Sequence, residues 1–221
     1  MSLTVTEASG LVDGLVITNE EPLGKCEDCI IRNQKCCAYD EKVIAETEVL
    51  QLTNIDLWGP AHVVSAGGAH YEMKFHDNGS LCKQTFFIPN HTAKTTLTIL
   101  KVYKLESEKI TGKLMVFIHT NNAPKFKSKL WVAFFAENGL IMVLTAPYSS
   151  GFNGTAKCLI GISTGSVRVM LNDVHLSAKW WAEAWVFSET VDNLLPSACH
   201  PGVIPEERFT GERQDVGHIR V

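Results

Sequence analysis

The chain has 221 residues, 45% of them hydrophobic and 20% charged, with 20 Lys and Arg against 24 Asp and Glu for a net charge of -4. That composition describes a globular domain with appendages and excludes a disordered chain. No run of about 18 apolar residues is free of charge, which excludes a membrane-spanning helix, and the chain lacks the basic excess of strong nucleic-acid binders.

The opening stretch, MSLTVTEASG, has neither the basic nor the apolar segment of a secretory signal. Seven cysteines form no evident disulfide framework, so a reducing compartment, nuclear or cytoplasmic, is expected. Residues 1–48 carry four basic and ten acidic groups, a net charge of -6, and read as an acidic arm. The cluster KCEDCIIRNQKCC lies within it.

From residue 49 the pattern becomes that of a folded core. Val49 to Leu57 alternates as a strand does and ends at the breaker Trp58-Gly59-Pro60. Gly67-Gly68 turns the chain into a second strand, His70 to His76, and Asn78-Gly79 turns it into a third, Leu81 to Ile88. Thr92 to Glu108 has helical spacing, with Leu97, Leu100 and Leu105 assigned to the apolar side and Gly112 as the closing cap. Leu114 to Ile118 is a short apolar strand, Ser128 to Glu137 a helix stopped by Asn138-Gly139, and Leu140 to Leu144 another apolar strand. Thr155 to about Leu195 is helical with a break near Asn172 to Ser177, and the tail 196–221 reads as loop. The order β-β-β-α-β-α-β-α-α predicts an α/β fold, a mixed five-stranded sheet with helices on both faces, in the ribonuclease-H-like arrangement. The division is an arm over 1–48, a core over 49–195 and a tail over 196–221.

Several short segments, in this order, then resemble one family. They are Asp56-x-x-Gly59-Pro60, the run from Gly67 to Asp77, Glu137-Asn138-Gly139, Thr145-Ala146-Pro147-Tyr148, Asn153-Gly154-x-Ala156, Trp181-Ala182-Glu183-Ala184, Leu195-Pro196-Ser197 and the closing DVGHIRV. Together they resemble the integrase core of copia-type retrotransposons. Gly10 to Leu15 and Cys26-x-x-Cys29 resemble the end of that family's pre-integrase zinc module, here truncated.

The resemblance implies two-metal phosphoryl transfer, with three carboxylates holding two divalent ions about 3.5–4 Å apart. Carried over residue by residue, the first carboxylate falls on Asp56. The second position is Asn121, in His119-Thr120-Asn121-Asn122, and the third is Lys157, in Asn153-Gly154-Thr155-Ala156-Lys157. The chain therefore reads as a degenerate or domesticated form. An ammonium ~4 Å from Mg²⁺ repels it by about 8 kcal/mol at an effective dielectric near 20, so Mg or Mn binding and catalysis are expected to be lost. Rescue by Asp77, Glu137 or Glu183 is the competing possibility, as is Asn121 acting only as a helix cap. The alternative function is an active metal-dependent integrase or nuclease with relocated ligands.

Other candidates are weaker. Cys26 and Cys29, with Cys36 and Cys37, form either a zinc site or an unmetallated remnant, since no histidine occurs in residues 1–40. No cofactor is expected in the core. Lys94, Lys101, Lys104 and Lys109, with Lys125, Lys127 and Lys129, form either a phosphate-contacting surface or a solvated face. Cys82 or Cys158 beside His76 or His119 would be needed for a thiol pair, and nothing in the spacing asks for one. Trp181 and Trp185, with Trp180 and Phe187, make an aromatic stripe that either packs on the sheet or forms a dimer interface, the second being favoured. The expected partner is a second copy or another protein, with nucleic-acid binding weak and no membrane.

Overall fold

The computed structural model describes residues 48–144, 154–196, 200, 202–215 and 217, the side chains of 154–160 and 162 excepted. Five strands form one sheet: β1 Leu52–Trp58, β2 Tyr71–Asp77, β3 Lys83–Ile88, β4 Phe117–Thr120 and β5 Ile141–Leu144, in the order β3-β2-β1-β4-β5. The first three are an antiparallel meander, as their short turns require. A helical crossover then carries the chain past β1, so β4 pairs parallel to β1 and β5 parallel to β4. The helices are α1 Ala93–Thr111, α2 Lys129–Asn138, α3 Gly154–Asp173, α4 Trp181–Leu194 and α5 Pro205–Thr210. The mixed five-stranded sheet with helices is the expected ribonuclease-H-like architecture.

Local signals set the element ends. The hydroxyl of Thr92 accepts from the Thr95 N–H at 3.2 Å and starts α1. Gly112 closes it at φ 66°, a left-handed conformation that costs glycine nothing. Gly79 matters for another reason: a Cβ there would collide with the Glu48–Val49 backbone, so the turn after β2 lets the chain in from residue 48 pass closely.

Each face of the sheet has its own apolar cluster. On one, Ile55, Met73, Phe75 and Ile118 meet Leu97, Leu100 and Tyr103 of α1 and Trp131 and Phe135 of α2. Phe75 and Tyr103 stack with ring centroids 4.1 Å apart. On the other, Trp58 and Phe87 meet Val167 and Leu171 of α3 and Trp181 and Trp185 of α4.

Three expectations are corrected here. Leu105 is 71% exposed. It lies about 140° round the helix axis from Leu100 at 100° per residue, and Tyr103 and Ser107 take the inward places. The tail expected to be loop holds α5, which is opened by Pro205 and closed by Gly211 and which buries Phe209 in the first core. Trp181 and Trp185 are not an interface. They are buried inside the chain against Trp58, with centroids 5.7 and 5.6 Å away, while Trp180, Val186 and Phe187 face outward. Helical period defines a stripe but not what covers it.

At the outer strand β3, the Asn193 amide accepts from the Lys83 N–H at 3.0 Å and donates to the Lys83 carbonyl at 2.7 Å. At the other side, Ile141, Val143 and Leu144 of β5 are exposed.

Candidate functional site

Strand alternation puts Asn54, Asp56 and Trp58 on the face that α3 and α4 cover. Cross-strand register then builds three rows on that face. His119, Asn54, His76 and Lys83 form the first, Asp56, Lys74 and Thr85 the second, and Trp58, Glu72 and Phe87 the third. In the first row His119 Nδ1 lies 3.0 Å from Asn54 Oδ1, and burial lowers the pKa of His119.

The β1–β4 ladder ends at Asn54 and His119; Asp56 lies two residues further along β1, and Asn121 follows the last residue of β4. Asn121 Oδ1 accepts the Ala123 N–H at 3.2 Å, turning the chain into the short 3-10 helix Pro124–Lys127. Lys125 of that helix sits in the field of Asp56, which raises its pKa against the larger lowering by burial. Lys157 lies on the first turn of α3, a helix that packs on β1; its side chain is outside the described residues.

Beside Asp56 lies a buried polar cluster that sequence reasoning missed. The Lys74 ammonium, 4% exposed, is 3.3 Å from Glu72 Oε1 and 3.7 Å from Glu189 Oε2, and it donates to Ser163 Oγ at 3.1 Å. It also stands 5.0 Å over the Trp185 ring. The Thr85 hydroxyl donates to Glu189. Glu72 Oε2 is buried and finds no hydrogen-bond partner among the described residues. Burial pushes the Glu72 pKa up to about 7; Lys74 opposes this, and Glu189 and Asp56 add to it. Burial, then Lys83 and Lys74, push His76 down to about 3.

These two groups pull stability in opposite directions with pH. Glu72 holds its proton in the fold after the unfolded chain, near 4.5, has lost it, so its contribution is complete below 4.5 and is lost as pH rises through about 7. His76 stays neutral in the fold, so its contribution is complete above 6.5 and is lost as pH falls through about 3. Between 4.5 and 6.5 they offset one another. His76→Gln is expected to gain stability relative to the parent chain as pH falls across that window, and urea titrations along a pH series measure this; a constant difference refutes it.

The remaining sequence candidates fall elsewhere. Asp77 is buried at the opposite end of β2 from Glu72, and its carboxylate accepts from Leu50 N–H, Ser80 N–H and Ser80 Oγ at 2.8, 2.7 and 2.6 Å. Glu137 and Glu183 are exposed on α2 and α4, so none of the three carboxylates considered for rescue faces Asp56 within the sheet rows. Among the described residues no three His, Cys, Asp or Glu come together as a metal site. The Cys82 thiol lies 3.5 Å from Glu206 Oε2, and burial and Glu206 push its pKa far up, so it is no nucleophile. Lys94, Lys101, Lys127 and Lys129 are exposed, while Lys104 pairs with Glu108 at 2.7 Å. Lys101 stands 5.1 Å from the Phe134 ring centre. Cys26, Cys29, Cys36, Cys37, Thr145 to Asn153 and the Cys158 side chain lie outside the described residues.

No protein-family model matches the chain. In sequence, it is 22% identical over 196 residues to a retrovirus-related Pol polyprotein from transposon TNT 1-94 of Nicotiana tabacum, covering 89% of this chain and 15% of that much longer protein. In structure, it matches a simian T-cell lymphotropic virus intasome in complex with PP2A regulatory subunit B56 gamma. The TM-score is 0.58 at 14% identity, over 75% of this chain and 56% of the other. It also matches the HTLV-2 integrase catalytic core domain in complex with magnesium, trimeric form, with a TM-score of 0.56 at 14% identity over 75% and 99%. The dimeric form gives 0.54 at 13% identity over the same shares. The chain is thus similar in sequence to part of a retrotransposon Pol polyprotein and in fold to retroviral integrase cores. Asp56 lies on β1, Asn121 just past the end of the neighbouring β4, and Lys157 on the first turn of the helix that packs on β1.

Proposed function

We propose that the integrase-like core is a non-catalytic scaffold that acts by self-association or by holding a partner protein, with any nucleic-acid contact weak. The observation that carries this reading is charge at the expected metal position. Of the three residues that the resemblance assigns to it, only Asp56 is a carboxylate. The oxygen of Asn121 accepts the Ala123 N–H, the third position is Lys157 and not a carboxylate, and Lys125 stands in the field of Asp56. Mg²⁺ requires several hard anionic oxygens, and this donor set does not supply them. We derive no metal-dependent step from it. The same argument leaves zinc at Cys26 and Cys29 as an open proposal, for which a four-thiolate set would be needed.

Self-association is supported by the HTLV-2 core having been solved in dimeric and trimeric forms. The surface offered for it is the outer side of α4, where Trp180 is 38% and Val186 and Phe187 are each 49% exposed.

Two measurements test the reading. A strand-nicking assay with Mn²⁺ is expected to show no cleavage; cleavage that disappears in Asp56→Asn overturns the scaffold and restores the enzyme. Asn121→Asp combined with Lys157→Glu is expected to create divalent-ion binding, read by titration calorimetry, where the parent chain shows none. The restored set turns a summed charge near zero into three carboxylates around one position.

A further inference from the structure

The two faces of the sheet are closed by different means. Under α1 and α2, Ile55, Met73, Phe75, Ile88 and Ile118 join the larger core. Under α3 and α4, the apolar members of the three rows are confined to the third, where Trp58 and Phe87 meet Val167, Leu171, Trp181 and Trp185. The first two rows hold only polar residues. They reach the helices through polar contacts. Ser163 of α3 and Glu189 of α4 stand on Lys74, and Glu189 also takes the Thr85 hydroxyl. Asp192 pairs with Lys83 at 3.1 Å, and Asn193 holds both backbone groups of Lys83.

Parting a sheet from its helices costs free energy in proportion to the apolar area that meets water. On the α1 side that area runs along the strands from Ile55 and Ile118 to Ile88. On the α3–α4 side it is limited to the third row and the helix residues over it. Elsewhere on that side Lys74, Glu72 and Glu189 would regain the hydration they gave up on burial, which offsets part of the cost. α3 and α4 also pack more extensively on one another than either does on any strand, so they can leave the sheet together.

We propose that α3 and α4 form one lid, which lifts from the sheet as a unit while β1, β2 and β3 stay paired and backed by α1. Lifting also parts α4 from α5, whose Phe209 stays in the larger core. The latch is the end of α4, where Glu189, Asp192 and Asn193 grip Thr85 and Lys83 of β3. The hinge side is the aromatic contact of Trp58 with Trp181 and Trp185. The open state presents Asp56, Lys74 and Lys83 on a strand face that water can solvate. Opening of this kind is a sub-global unfolding step, with a free energy below that of the whole domain. It goes beyond the scaffold reading and does not depend on it.

Hydrogen exchange of the full-length chain at pH 7, read by mass spectrometry, tests the proposal. The protected amides of α3 and α4 are expected to exchange at one shared rate, about a hundredfold above the slowest amides of α1 and β2. Acetylation of Lys74, whose side chain is 4% exposed, reports the same opening from the sheet side. Asn193→Ala removes both hydrogen bonds to the Lys83 backbone. It is expected to raise the exchange of both helices and the labelling of Lys74 about tenfold, and to leave α1 and β2 unchanged. Four results overturn the proposal: α3 and α4 exchanging no faster than α1, an effect of Asn193→Ala that reaches α1 and β2 equally, one helix accelerating without the other, or Lys74 labelling that the variant does not change.

Discussion

Lys74→Met will lower the stability of the core by about 3–5 kcal/mol at about pH 8, and by clearly less near pH 5. The size follows from what the ammonium leaves behind. Glu72 and Glu189 would be left without the cation between them, Glu72 already having one oxygen without a partner among the described residues and Glu189 keeping only Thr85 and the field of Lys83. Removing one member of a buried ion group strands the others, which costs more than the group was worth intact. The pH dependence has the same origin. Burial already raises both carboxylate pKa values and Lys74 holds them down, so without Lys74 both take up protons more readily, and protonation removes the stranded charge. Urea denaturation at the two pH values reads the difference. An equal loss at both would mean that Lys74 contributes through its methylenes and the Trp185 ring, not its charge.

Trp185→Ala is expected to cost a similar amount, about 3–5 kcal/mol, whereas Trp185→Phe costs less than about 1.5 kcal/mol. Trp185 is 1% exposed between Trp58 and Trp181, so truncation opens a cavity in the smaller core where few neighbours can collapse inward. The indole N–H has no acceptor among the described residues, so replacing it by a phenyl ring removes an unsatisfied donor along with some volume. If the two variants lost the same stability, the indole would have a partner and the packing argument would be incomplete. Both chains can be compared by thermal and chemical unfolding followed on Trp fluorescence.

The residues that made the fold legible were those with one local meaning. Thr92, Gly112 and Gly139 ended helices where caps belong, and Asn78-Gly79 turned the meander. The polar face of β2 was not legible. Glu72, Lys74 and His76 alternate with Met73 and Phe75, a pattern that reads as a strand with one side in water. Two helices arriving 80 to 120 residues later cover that side instead, and only a charge such as Glu189 on an otherwise apolar helix face hints at it. Leu105 failed for a related reason, since leucine supplies hydrophobicity without direction. At the candidate site, the identities at Asp56, Asn121 and Lys157 came from the sequence, whereas Lys125 and the Lys74 cluster came from geometry that crosses between elements.

The amide of Asn193 occupies both hydrogen-bonding groups of Lys83, standing in for the neighbour that an outermost strand would otherwise seek. At β5, by contrast, the exposed Ile141, Val143 and Leu144 offer their side chains beside a margin with a single strand neighbour among the described residues. Among the described residues, β5 is therefore the preferred starting point for misassembly between copies. A charge placed at Val143 should slow fibril formation in concentrated solution, and one placed on β3 should leave it unchanged.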